Sequence, residues 1–274
     1  MSVRFLLFLV SVFCIGCQRP APVESVSKKT PQRLISLLPS ATELVCAVGQ
    51  EEKLVGVTWN DNFPLSVTSL PKVGDQTIDL ELVLQLKPDL VILDSNFNAN
   101  KEALERLGLR VLELKCHRLS DVPSAMRVLG RVLDCQELAE AEALSFESAL
   151  AAIEPAALDD SIFVEVWGEP LMTVGDDNVI SDVLTHLGLR NCYADQKGYF
   201  QVDPEDVVSR QPQIILLPAK SDETESSALK LCQSVGLNPK VFRIDPDLLV
   251  RPGPRLIEGM RLIQQGLKEL KNSR

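Results

Sequence analysis

The chain is poor in the residues that build catalytic centres. Only two histidines, His117 and His186, occur in 274 residues, and no cluster of His and carboxylates suggests zinc or manganese, which want three or more such ligands together. His186 falls near the end of an amphipathic segment before Gly188, a place for a solvated or capping histidine. The glycines never take G-x-G-x-x-G or phosphate-loop spacing, and G-x-S-x-G is missing. The expectation is a protein that is not an enzyme and has no intrinsic cofactor. Positive charge is also scarce: the net charge is −10, with no basic stripe, so nucleic acid is excluded as a partner. Aromatics make up 5% of the chain. No segment after the first few residues is long and apolar enough to cross a membrane.

What is present begins at the N-terminus. Arg4 precedes an apolar run over residues 5–15, about 11 residues long and suited to a signal-peptide core. It ends in Cys14-Ile15-Gly16-Cys17. Small residues before a cysteine resemble a bacterial lipobox, although Cys14 stands where Leu is usual. Residues 1–17 therefore read as a lipoprotein signal peptide with Cys17 as the lipid anchor, a plain secretory signal being the alternative. Residues 18–32 are polar and read as a flexible tether. Membrane attachment is expected through that anchor only. Five further cysteines remain, Cys46, Cys116, Cys135, Cys192 and Cys232. An odd number cannot all pair internally, and export permits a disulfide; Cys192 with Cys232 is the expected pair, and Cys46 a buried thiol.

From residue 34 onward, strand and helix patterns alternate. Residues 33–38 read as a strand stopped by Pro39, and Ser40 as the cap of a helix to 49, with Glu43 completing a capping box. A strand at 54–57, a helix capped by Asp79 and ended by Pro88, a strand at 90–93, a helix over 100–107 and a strand at 111–114 follow. Stretches 123–133 and 136–153 are helical with no strand between, and the second, over 18 residues, reaches about 27 Å. Beyond Pro155 the alternation returns, with a last helix over 255–268. "DLELVLQLKPDLVIL" from Asp79 and "DPEDVVSRQPQIILL" from Asp203 match in Asp, Glu and Pro at one constant offset. Each copy is an Asp cap, a first-turn Glu, a short helix, a breaking Pro and an apolar strand. The fold class is α/β: two Rossmann-like lobes with parallel sheets, joined by one long backbone helix, with a ligand cleft between them.

Several residues stand out for binding. Trp59 and Trp167 follow strand-like runs, Tyr193 and Tyr199 sit in a later loop, and Phe63 and Phe97 are in loops. In open α/β sheets, such positions face the crevice at the carboxyl ends of strands. Large rings there either stack on a flat organic ligand or pack beneath their own loops. Asp247 and Arg251, four apart before Pro252 and Pro254, either hydrogen-bond a ligand or form a surface pair. Glu81 and Glu205 occupy first turns, where the helix dipole alone favours a carboxylate. One in each repeat also gives two acidic points for a symmetric partner.

These motifs, with "RLISLLPSATELVCAVG", "LVGVTWNDNFP", "VEVWGEPLMTVGDDNVISDVLTHLGL" and "DPDLLVRPGPRLIEG", resemble the helical-backbone class of ABC-importer binding proteins for cobalamin, siderophores and haem. The resemblance covers about 33–270 and is nearest the cobalamin branch. It implies an N-terminal lobe over 33–118, connecting helices over 119–155 and a C-terminal lobe over 156–274, with small closure. It places ligand contacts at Trp59, Asn60, Asp94, Trp167, Tyr199, Asp247 and Arg251, with Glu81 and Glu205 docking an ABC permease–ATPase complex. Asn60, Asp75 and Asp94 stand where some cobalamin binders carry further ring-stacking aromatics. The expected ligand is a cobalt corrinoid, cobalamin or cobinamide-like, and the expected protein a lipid-anchored monomer of the cell envelope, the periplasm. A siderophore or haem binder, with Tyr193 or Tyr199 as axial ligand, and an envelope enzyme on this fold are the alternatives.

Overall fold

A computed structural model describes residues 29–75, 77–94, 98–156, 160–221 and 224–272. The signal peptide, Cys17, most of the tether and Phe97 lie outside the described residues.

The first lobe runs β1 (Leu34–Ser36), α1 (Pro39–Ala47), β2 (Leu54–Gly56), α2 (Leu80–Gln85), β3 (Leu90–Leu93), α3 (Asn98–Arg106) and β4 (Val111–Glu113). Its four strands are all parallel, in the order β2-β1-β3-β4. Strands covered on both faces must be apolar throughout, and β1 and β3 are buried along their whole length. Then α4 (Asp121–Leu133) and α5 (Gln136–Ala151) follow without an intervening strand.

The second lobe runs β5 (Ser161–Val164), β6 (Trp167–Gly168), β7 (Leu171–Val174), α6 (Val179–His186), β8 (Arg190–Asn191), β9 (Tyr199–Gln201), α7 (Pro204–Ser209), β10 (Ile214–Pro218), α8 (Ser227–Ser234), β11 (Lys240–Ile244) and α9 (Leu256–Asn272). Its parallel sheet has the order β11-β10-β5-β8. Counted along the chain, both lobes place their second strand outside the first, then the third and the fourth. The repeat seen in the sequence is therefore a repeat of topology. Asp79 caps α2 by accepting from the Leu82 N–H (2.9 Å), and Asp203 caps α7 through the Glu205 N–H (2.9 Å). Gly108 and Gly188 follow α3 and α6 at φ 77° and 68°, a left-handed turn that suits glycine.

The lobes join through α5, with α4 antiparallel beside it. The Lys53 ammonium donates to the Leu133 carbonyl, tying the end of α4 to the first lobe (3.2 Å). At the other end His186 Nε2, on α6, donates to the Leu150 carbonyl of α5 (3.0 Å), so this histidine is a cap. Arg127 on α4 clamps Glu140 and Glu147 on α5. The helices cross closely at Gly130, where an added Cβ would lie 2.5 Å from the Ala139 Cβ.

Four expectations are corrected. First, α1 begins at Pro39, and Leu38 at its cap position gives no side-chain bond; proline is preorganised for the first helical position, so Ser40 lies inside the helix and Glu43 is free for another use. Second, α5 ends at Ala151, so Ile153 lies beyond it. Third, Cys192 and Cys232 are both free thiols. Burial pushes the Cys46 and Cys116 thiols up to about 12, which makes them unreactive. Fourth, Tyr193 is buried in the second lobe, edge-on to Phe163 and Phe200 with the Arg210 guanidinium over its ring. It is a core residue. Among the described residues, no helix is long and apolar enough to cross a membrane.

Gly130→Leu is expected to force α4 and α5 apart and cost about 2 kcal/mol of stability, read as a lower urea midpoint at an unchanged slope.

Candidate functional site

The second lobe carries a small sheet that its sequence concealed. Strands β6, β7 and β9 are antiparallel, with Trp167 opposite Met172 and Val174 opposite Tyr199. Cross-strand partners point to one face and residues two apart share it. Trp167 and Tyr199 therefore project from the same face. They are two strands and two residues apart, on the order of 12 Å. Thr173 and Phe200 point the other way, and Phe200 packs into the lobe against Tyr193. The two rings remain largely open, Trp167 at 60% and Tyr199 at 49% exposure. The Trp167 indole N–H donates to the Glu169 carbonyl (2.7 Å), fixing the ring at its edge while leaving its faces bare.

Below Trp167 lies a groove of about 690 Å³, lined among others by Glu165, Val166, Glu169, Pro218 and Val250. Glu165 follows β5, Pro218 ends β10, and Val250 comes after β11. The groove therefore opens at the carboxyl ends of a parallel sheet, where open α/β folds bind ligands.

The first lobe contributes the loop after β2. Trp59 is 69% exposed there, and its backbone N–H donates to Asp75 Oδ1 (3.1 Å). Asp61 Oδ2 accepts from the Thr58 N–H (2.7 Å) and hydroxyl (2.6 Å), which sets the turn presenting Asn60 and Asn62. Asp94, just past β3, meets His117 Nε2 through both carboxylate oxygens (2.9 and 2.8 Å).

Between the lobes sits a buried ionic cluster. Glu43 on α1 is 2% exposed at its side chain and accepts from Arg255 (3.0 and 2.6 Å) and Arg251 (3.2 Å). Arg251 also donates to Asn62 Oδ1 (2.8 Å) and to the Asn60 carbonyl (3.0 Å), and pairs with Asp247 (2.8 Å). Asp247 lies in a single tight turn, Pro246–Leu248, and accepts from Asn62 Nδ2 (2.7 Å) and Lys220 (2.9 Å). Burial pushes the Asp247 carboxyl up, but the bonds from Asn62 and Lys220 and the Arg251 charge outweigh it, leaving its pKa below the ordinary 3.8. The Arg255 guanidinium also lies 4.2 Å over the Phe63 ring.

The structure thus brings Asn60, Asp247 and Arg251 into one network and sets Trp167 and Tyr199 on one face. Asp247 and Arg251 do pair, although no α-helix runs through them. Trp59 and Asp94 stand at carboxyl ends of first-lobe strands, outside the network. Glu81 and Glu205 are exposed in the first turns of α2 and α7. Sequence reasoning did not single out Glu43 for pairing, nor Asn62 and Glu165. A glutamate inside an apolar helical stretch was the available signal for Glu43. Among the described residues, no group of three or more His, Cys, Asp or Glu is placed to hold a metal ion.

Removing one partner of a buried pair leaves the other charge uncompensated. Glu43→Gln is expected to cost about 3 kcal/mol, measured by urea unfolding. A loss below about 0.5 kcal/mol would mean that the cluster behaves as a surface pair.

Known proteins share this architecture. An uncharacterized ABC transporter substrate-binding lipoprotein of Bacillus subtilis is 33% identical over 95% of this chain and 95% of its own. A vitamin B12-binding protein of Pectobacterium atrosepticum is 30% identical over 88% of this chain and 90% of its own. The periplasmic vitamin B12-binding protein of Vibrio cholerae superimposes with a TM-score of 0.70 at 26% identity, over 88% of this chain and 98% of that one. A periplasmic heme-binding protein of Pseudomonas aeruginosa gives 0.75 at 28%, over 86% and 92%. Residues 34–237 match the family described as periplasmic binding protein, and the chain belongs to that family.

Proposed function

We propose that this chain is the solute-binding lipoprotein of an ABC importer, capturing a corrinoid between its lobes and presenting it to a permease. The observation that carries the reading is the pair of open rings, Trp167 and Tyr199, on one face of the small sheet, with Trp167 lining the groove at the carboxyl ends of β5 and β10. Flat macrocycles are held by such rings, each contact adding about 0.5–1.5 kcal/mol beyond area burial. The B12-binding relative supports the choice of ligand, and the substrate-binding lipoprotein of Bacillus subtilis supports an anchor at Cys17. The protein acts outside the cytoplasmic membrane, in the periplasm, as a monomer tethered by its processed N-terminus. In this reading Trp59, Asn60 and Asp94 face the ligand from the first lobe. Asp247 and Arg251 meet polar edges of the ligand while holding the lobes together.

Docking falls to Glu81 and Glu205. The constant offset between the repeats puts one exposed carboxylate on equivalent helices of the two lobes, which suits a two-subunit permease offering a cation to each.

Tryptophan fluorescence titration of the form lacking residues 1–17 with cyanocobalamin, cobinamide, haem and ferric siderophores tests the ligand. A corrinoid is expected to quench, and Trp167→Ala to weaken its binding about tenfold. Quenching by haem or a siderophore with none by either corrinoid would assign the other cargo, and a copurifying hydrolytic activity without ligand binding would make the chain an envelope enzyme. For docking, Glu81→Arg and Glu205→Arg are expected to abolish uptake in cells with ligand affinity retained; a fall in affinity contradicts the docking role.

A further inference from the structure

The groove beneath Trp167 is lined by charge of one sign. Glu165, Glu169 and Glu225 are among its lining residues, and none of the described lining residues is Lys, Arg or His. Three of the cations beside it are already paired, while Arg243 donates to the carbonyl of Thr224, a lining residue (3.1 Å). Lys220, next to Ala219 on the rim, pairs with Asp247 (2.9 Å). Arg251, next to Val250, divides its guanidinium among Glu43, Asp247, Asn62 and the Asn60 carbonyl. Lys230 is paired with Glu225. Glu165 is buried and accepts from the Ser226 hydroxyl and from the N–H groups of Ser227 (2.8 Å) and Ala228 (3.3 Å) at the start of α8. Glu169 is exposed beside Trp167 and makes no ion pair with any described residue.

Ionised carboxylates only accept hydrogen bonds. A ligand edge bearing amide N–H groups complements them. A ligand carboxylate brings acceptor against acceptor and like charge against like, and no lining residue is a cation to answer it. We infer that the groove selects its cargo by charge: it takes uncharged or cationic ligands with N–H-bearing rims and rejects carboxylate-bearing macrocycles and anionic iron chelates of similar size. The inference rests on the cleft being the cargo site proposed above and narrows what that cargo is. Glu169 is the specificity-determining residue, because its charge is the one least neutralised by its surroundings.

Calorimetric titration of the full chain in detergent separates the two claims. The probes are dicyanocobinamide, the same corrinoid with peripheral amides hydrolysed to carboxylates, the cationic hydroxamate complex ferrioxamine B, and an anionic ferric tris-catecholate. At low salt the amide corrinoid is expected to bind at least about tenfold more tightly than its carboxylate form. The ratio should shrink at about 0.3 M salt, because exposed charges are screened, and shrink again in Glu169→Lys. Equal affinities, or a ratio that neither salt nor Glu169→Lys moves, overturn charge selection while leaving the corrinoid reading intact. Binding of ferrioxamine B with no corrinoid bound overturns the corrinoid reading and leaves charge selection standing. Binding of the tris-catecholate alone, or of no probe, overturns both.

Discussion

A carboxylate at 2% exposure, Glu43, would be untenable without its two guanidinium partners. Those partners come from the far end of the chain, more than 200 residues away. The loop holding Asn60 and Asn62 leaves the carboxyl end of β2, and the segment holding Asp247 and Arg251 leaves the carboxyl end of β11. By pairing them, the cluster pins the carboxyl edge of one sheet to the carboxyl edge of the other. The placement of the first lobe's loop against the second lobe follows from that attachment.

A second attachment lies beside α4. Arg118 reaches Asp182 (2.8 Å) and Asp177 (2.6 Å) at the start of α6, and the Leu119 N–H donates to Asp182 as well (2.9 Å). With α4 and α5 crossing at Gly130, the lobes are held by packed helices and charged pairs together. Packed interfaces shift between discrete arrangements and do not deform smoothly. Such a junction fits two lobes whose relative placement is largely set in advance.

The small antiparallel sheet was the least legible part of the fold. Strands β6 and β9 are two and three residues long, too short for a period-two pattern to register. β9 pairs non-locally, with β7, so Tyr199 looked like a loop residue until β7 placed it in line with Val174. Tyr193, six residues earlier in the same stretch, went to the core. Nothing local separates the two tyrosines. Glu43 shows the same blindness: its spacing from Ser40 fits a capping box, while Pro39 and the distant arginines decide otherwise.

Local rules set much of the rest. Apolar runs bounded by Pro and Gly fixed the parallel strands, Asp79 and Asp203 fixed the starts of α2 and α7, and the constant offset between them foretold two lobes of one topology. Those features depend on neighbours a few residues away, and the sequence alone carries that information. Which charges meet across the junction, which rings stay open, and which cations are spent before a ligand arrives depend on contacts between residues tens to hundreds of positions apart. Chain order does not encode such proximity directly, so only the folded arrangement determines it.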